Sequence, residues 1–188
     1  MAADRFLTEH GTDAPPPWSE WLALVDLKAG PVRRQLVADE AARIRIAAAL
    51  DLDRLDSLTA EVKVVPWLDG AALEARWSAS IEQTCGVTLE IFGTELEGAF
   101  GVRVLPRSSR HAPQEPVREV AVDPEAEDPP DLLDEDRIDL ADYVVEHLAL
   151  DIDPFPRKPG VVFAPPDELQ PPSPFAVLRD FKAKPEGR

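Results

Sequence analysis

Side-chain chemistry needs nucleophiles, imidazoles, carboxylate pairs or metal ligands at convergent spacings, and this chain of 188 residues holds few of them. Its single cysteine, Cys85, stands in "IEQTCGVTLEIF" (81–92). A lone thiolate can attack an electrophile if positive charge lowers its pKa, but it holds zinc only with two or three companion ligands. The three histidines, His10, His111 and His147, lie far apart, and none stands at a spacing that would activate a nucleophile. Between Glu119 and Asp153 lie 14 acids and one base, Arg137, without the ligand spacing or glycine of a calcium-binding loop. Gly93, Gly98 and Gly101 punctuate a strand pattern and precede no helix, so they cradle no phosphate. Catalysis is not expected from this set.

Charge narrows the partners. With 36 acids against 20 bases the net charge is −16, and about −13 of it falls in those 35 residues. Docking onto a phosphate backbone runs on Lys and Arg, so the expected physical partner is basic, with RNA contacted either indirectly through it or directly. One cysteine cannot form an intramolecular disulfide, and no apolar run is long enough for a membrane span or leader. The expectation is a cytoplasmic protein without a membrane contact.

The elements that would position any site follow from periodicity. In "LEARWSASIEQT", Leu73, Ala75, Trp77, Ala79, Ile81 and Gln83 share one face, the signature of an antiparallel strand over a core. "AEVKVVPW" precedes it as a second strand, with a turn expected at Asp69-Gly70. "TELEGAFGVRVL" follows as a third, with Leu96, Phe100, Val102 and Val104 facing one way, and Gly98 and Gly101 suggesting a bulge or strong coiling. Asp39 can cap a helix over "EAARIRIAAAL" with Ile44, Ala47 and Ala48 on one side. Asp139 can cap a second, on which Leu140, Val144 and Leu148, with Ala141 and Val145, form an apolar stripe. Trp18, Trp21, Trp67 and Trp77 are expected in the core.

The fold class is therefore α+β: a small antiparallel sheet, as a meander or partly open barrel, with two or three helices. Residues 1–17 read as a flexible tail and 18–105 as the body. Residues 106–136 read as an acidic, proline-rich linker, since 15 of the 20 prolines lie at or beyond Pro106. Residues 137–184 read as a helix and C-terminal segment packing on the body.

"EQTCGVTLE", "DEDRIDLADYVVEHLALDIDPFP" and the ending "PPSPFAVLRDFKAK" occur in that order. Together they resemble the YceD family, the large ribosomal RNA subunit accumulation proteins of bacteria and plastids, over residues 30–184; "QTC.VTLE" is most similar to the alphaproteobacterial branch. The resemblance implies a non-enzymatic ribosome-biogenesis factor supporting accumulation or processing of 23S ribosomal RNA. It also implies a family zinc site, built from a C-x-x-C and a second cysteine pair after the capped helix. Here Glu82 stands at the first position, Cys85 alone matches, and "DPFPRKPGVVF" offers no ligand. No cofactor is therefore expected. Cys85 is expected to be a buried, inert thiol, with Glu82 and Glu90 opposing thiolate formation; a reactive thiol is the alternative.

Two partner-binding surfaces follow. Glu125, Glu127, Asp128, Asp131, Asp134 and Glu135 would form a polyanionic docking arm. Phe175, Leu178 and Phe181 would line the apolar edge of a short C-terminal helix, stapled to its own sheet or inserted into a partner. The partner is a large-subunit ribosomal precursor; alternatively, the chain is an acidic chaperone for a basic ribosomal protein.

Overall fold

The computed structural model describes residues 16–113 and 128–163. Short strand β1 (Trp21–Ala23) runs into a 3-10 helix (Leu24–Ala29), then β2 (Val32–Val37), α1 (Glu40–Ala49) and the long strands β3 (Arg54–Trp67), β4 (Gly70–Thr84) and β5 (Ile91–Pro106). After the segment outside the described residues come β6 (Asp131–Leu133), β7 (Arg137–Asp139) and α2 (Leu140–Asp151). The main sheet has the order β2-β3-β4-β5-β6, antiparallel except for the parallel β5–β6 pair, and it does not close into a barrel. β1 and β7 form a separate two-stranded sheet. The class is α+β, as the periodicity predicts.

One sheet face carries the core and both helices. Leu73, Ala75, Trp77, Ala79, Ile81 and Gln83 of β4 are all buried, while Glu74, Arg76 and Ser78 between them are exposed. Leu140, Ala141, Val144, Val145 and Leu148 of α2 join the same buried cluster. Each such aliphatic burial stabilises by roughly 1.5–3 kcal/mol for the larger side chains, which fixes α2 on the sheet. The caps match expectation: Asp39 accepts from the Ala42 N–H at 2.7 Å, and Asp139 from those of Ala141 and Asp142.

Several local expectations are corrected. The β3–β4 turn is Leu68-Asp69, since Trp67 pairs with Gly70; Leu68 adopts φ +52° although it is not glycine. Gly70 serves another need, because a Cβ there would overlap the Val104 carbonyl oxygen. Neither Gly98 nor Gly101 makes a bulge: β4 and β5 stay in register throughout, and the sheet's irregularity lies at Leu55–Ser57 of β3. The buried side of α1 is Ala42, Ile46 and Ala47, whereas Ile44 and Ala48 face solvent. Ile46 wins over Ile44 because it shares a face with the capped first turn, one i to i+4 step from Ala42. Of the tryptophans, Trp77 is core, Trp18 and Trp67 are half-buried, and Trp21 is 49% exposed.

The acidic segment read as linker up to residue 136 is built into the sheet at its end. Asp131–Leu133 pairs with Val104–Pro106, and the Arg107 N–H extends the ladder to the Leu133 carbonyl at 2.9 Å. Leu132 and Leu133 supply enough apolar surface to anchor three residues, a signal hidden by the surrounding acids. No helix among the described residues is long and apolar enough to cross a membrane. The chain divides into a unit ending at Lys158 and a second beginning at Pro159, of which residues 159–163 are described.

Candidate functional site

Cys85 closes β4 and opens a tight loop in which the Leu89 N–H bonds the Cys85 carbonyl and the Cys85 N–H bonds the Glu90 carbonyl, each at 2.9 Å. The side chain is fully buried. The segment after α2 lies against this loop: the Pro156 carbonyl accepts from the Gly86 N–H at 2.9 Å, and the Lys158 N–H donates to Cys85 Sγ at 3.4 Å. Lys158 Nζ also pairs with Glu90 Oε2 at 3.1 Å. The post-helix segment therefore meets Cys85 with one backbone N–H, and its loop with a carbonyl and an ion pair, rather than with metal ligands. Glu82 is engaged by Arg54 at 2.7 Å. These residues do not fit zinc, and among the described residues no group of three or more His, Cys, Asp or Glu is arranged to hold a metal.

The expected opposition of Glu82 and Glu90 to thiolate formation is corrected. The Thr88 hydroxyl, with backbone N–H groups of Lys158, Thr88 and Val87, lowers the Cys85 thiol to about 6 against the opposing effect of burial. Among the described residues the Lys158 N–H makes a hydrogen bond to the sulfur, and a donor there stabilises the anion. Thr88 also reaches Glu90 Oε2 at 3.3 Å, and Lys158 neutralises that carboxylate, so its charge does not dominate.

The second region is built around Asp139. Its Oδ1 accepts from the Glu20 N–H at 2.8 Å and from those of Ala141 and Asp142 at 3.2 and 3.4 Å. The Leu140 N–H returns a bond to the Glu20 carbonyl at 2.9 Å, so one carboxylate caps α2 and ties β1 to it. Its Oδ2 is buried with no hydrogen-bond partner among the described residues. Asp139 forms part of the wall of an open groove of about 650 Å³ between the β6–β7 turn and the start of α2, together with Trp21, Arg137 and Tyr143. Partial desolvation at the helix start, then the neighbouring charges of Asp139 and Glu146, raise the Asp142 carboxyl, although the residue is exposed.

The docking-arm residues divide. Asp131 Oδ2 accepts from the Tyr143 hydroxyl at 3.0 Å, Asp134 Oδ1 from Arg107 Nε at 2.8 Å, and Glu135 Oε2 from Arg137 Nε at 2.6 Å. All three line the groove. Asp128 lies apart from that wall, and its carbonyl accepts from Arg103 Nη2 at 3.0 Å. Glu125, Glu127, Phe175, Leu178 and Phe181 lie outside the described residues.

Among the groove residues that sequence reasoning missed are Trp21, Asp139, Asp142 and Glu146. Trp21 was expected in the core, yet its ring is half-exposed with the Arg137 guanidinium 4.0 Å from its centroid. The sequence marks Asp139 only as a helix cap, and Asp142 and Glu146 only as members of the acidic run. The available signal was their spacing: positions 139, 142 and 146 fall on one stripe of α2.

No curated protein and no solved structure matches the chain. The family model for large ribosomal RNA subunit accumulation protein YceD matches residues 73–182, which run from the central strand β4 through the groove and α2. That match covers more than half of the sequence, and the chain belongs to the YceD family of large ribosomal RNA subunit accumulation proteins.

Proposed function

We infer that this chain is a cytoplasmic ribosome-biogenesis factor that supports accumulation or processing of 23S ribosomal RNA by binding rather than by catalysis. The observation that carries the reading is the family match, whose name implies accumulation of large-subunit ribosomal RNA. Electrostatics suggests how the contact is made. A chain of net charge −16, with acids concentrated about the start of α2, repels phosphate and attracts basic polypeptide. Its partner is then a protein component of a large-subunit precursor, with RNA held indirectly.

The test is a strain lacking the gene, profiled on sucrose gradients at optimal and low temperature. The expected result is a lowered ratio of large to small subunits; an unchanged ratio at both temperatures overturns the reading.

The acidic groove also favours a second reading, an acidic chaperone for one free basic ribosomal protein. Co-purification separates them, since the first yields a precursor particle and the second a single small basic protein. In either case association slows steeply with added salt, because exposed charges are screened over a Debye length of about 8 Å at physiological ionic strength.

A further inference from the structure

We propose that the groove between the β6–β7 turn and the start of α2 is a socket for an arginine side chain of a basic partner polypeptide. The inference rests on the binding function proposed above and names the chemistry of one contact within it.

The groove is negative beyond what its own cation compensates. Six carboxylates line it, from Asp131, Asp134, Glu135, Asp139, Asp142 and Glu146, against the single lining base Arg137. Tyr143, Arg107 and Arg137 engage the first three. Asp139 is nine-tenths buried, and its Oδ2 has no partner among the described residues. The three N–H bonds to Oδ1 offset much of the cost of burying this carboxylate, and its remaining field adds to the charge of the groove. Arg137 is directed elsewhere, stacked on Trp21 and paired with Glu135. The exposed carboxylates of Asp142 and Glu146 are thus left without a cation among the described residues, beside a buried carboxylate that adds to the negative potential.

The division of roles follows from exposure. Oδ2 of Asp139 is closed to solvent, so it attracts the cation through space. Asp142 and Glu146 are exposed on the same stripe of α2, and their carboxylates have no partner among the described residues. A point-like metal ion suits this poorly, because no three of these groups converge. A planar guanidinium with several donors can bridge separated carboxylates and lie beside an aromatic ring. Arg137 on Trp21 already displays that mode at the groove's edge. Phosphate is repelled by the same charges, which points to a polypeptide rather than to nucleic acid.

The test uses the full chain, with a fluorescein-labelled peptide of alternating arginine and glycine as the probe. Saturable binding is expected, with NMR shifts confined to Trp21, Tyr143, Asp142 and Glu146. Asp142→Asn with Glu146→Gln, both exposed positions, should weaken binding at least tenfold while leaving the folded spectrum intact. Glu95→Gln with Glu97→Gln on the open sheet face removes the same charge and should change affinity less than twofold. The lysine counterpart of the peptide should bind at least threefold more weakly.

Equal losses from the two double variants would reduce the effect to diffuse attraction and overturn the socket. Equal affinity for the lysine peptide, or saturable calcium binding at the same resonances, would overturn the arginine assignment. If the Asp142→Asn, Glu146→Gln chain restores a normal subunit ratio in the deletion strain and still enters precursor particles, the socket fails while the ribosomal function stands. If peptide binding behaves as expected but deletion leaves the subunit ratio unchanged, the socket stands and the ribosomal function fails.

Discussion

The indole of Trp77 fills the space that a side chain at position 98 would need. The two residues pair directly across β4 and β5, and a Cβ on Gly98 would lie 2.7 Å from Trp77 Cζ2 and 2.9 Å from its Nε1. Glycine is required there by close approach rather than by backbone twist.

Gly98→Ala should therefore destabilise the fold by about 1–3 kcal/mol, the usual cost of overpacking a tight site. Gly101→Ala is the control, since its nearest contact is the Leu73 carbonyl oxygen at 3.7 Å. Urea unfolding followed by tryptophan fluorescence should show a lower midpoint for the first variant and a far smaller change for the second. Equal midpoints would mean that the ring can move aside.

Asp139→Ala should cost about 1–3 kcal/mol, combining loss of a helix cap with loss of the acceptor for the buried link from Glu20. Asp139→Asn keeps an acceptor oxygen and should cost less. Circular dichroism melts of the two variants check the order. If alanine matches wild type, the cost of the unpartnered Oδ2 offsets everything that Oδ1 contributes.

How much could be read beforehand depends on whether the signal is local. The β4 alternation from Leu73 to Gln83 and the α2 stripe are patterns that one segment carries by itself, and both hold. Asp39 and Asp139 were legible as caps because a cap acts within its own helical turn. The Ile46 side of α1 and the overlap at Gly70 depend on elements distant in sequence, which no window contains. β6 was hidden because Asp131–Leu133 has only two apolar residues and is made a strand by its partner at Val104–Pro106. The groove needed β1, β7 and α2 placed together, so Trp21 could not be assigned to it from the sequence.

Cys85 should titrate with a midpoint of about 6 in the folded chain, read from thiolate absorbance near 240 nm. In denaturant the midpoint should return to the usual thiol value of about 8.5. A folded pKa below the unfolded one stabilises the fold fully above the unfolded value, and that contribution disappears as pH falls through about 6. Cys85→Ser should remove this pH dependence and lower stability modestly. The native thiol should also label slowly with iodoacetamide, because burial limits access whatever its charge. Elemental analysis should find no stoichiometric zinc; one zinc per chain would require ligands beyond those that surround Cys85.

The end of the acidic segment gives the last prediction, and Tyr143 reports on it directly, being the only tyrosine in the chain. Burial, then the Asp131 charge and its hydrogen bond, raise the Tyr143 hydroxyl above its ordinary range. A raised folded pKa means that the native state keeps its proton longer than the unfolded chain does. The stabilising contribution is present below the unfolded value of about 10 and is lost as pH rises beyond it. Asp131→Ala should bring the 295 nm titration back toward the ordinary range. It should also cost about 1 kcal/mol at neutral pH through the lost hydrogen bond. Asp134→Ser removes only an exposed ion pair with Arg107 and should change stability by less than about 0.5 kcal/mol. If both variants behave like wild type in the titration and in the melt, Asp131 is no more anchored than the acids before it, and the strand at Asp131–Leu133 contributes nothing to holding α2.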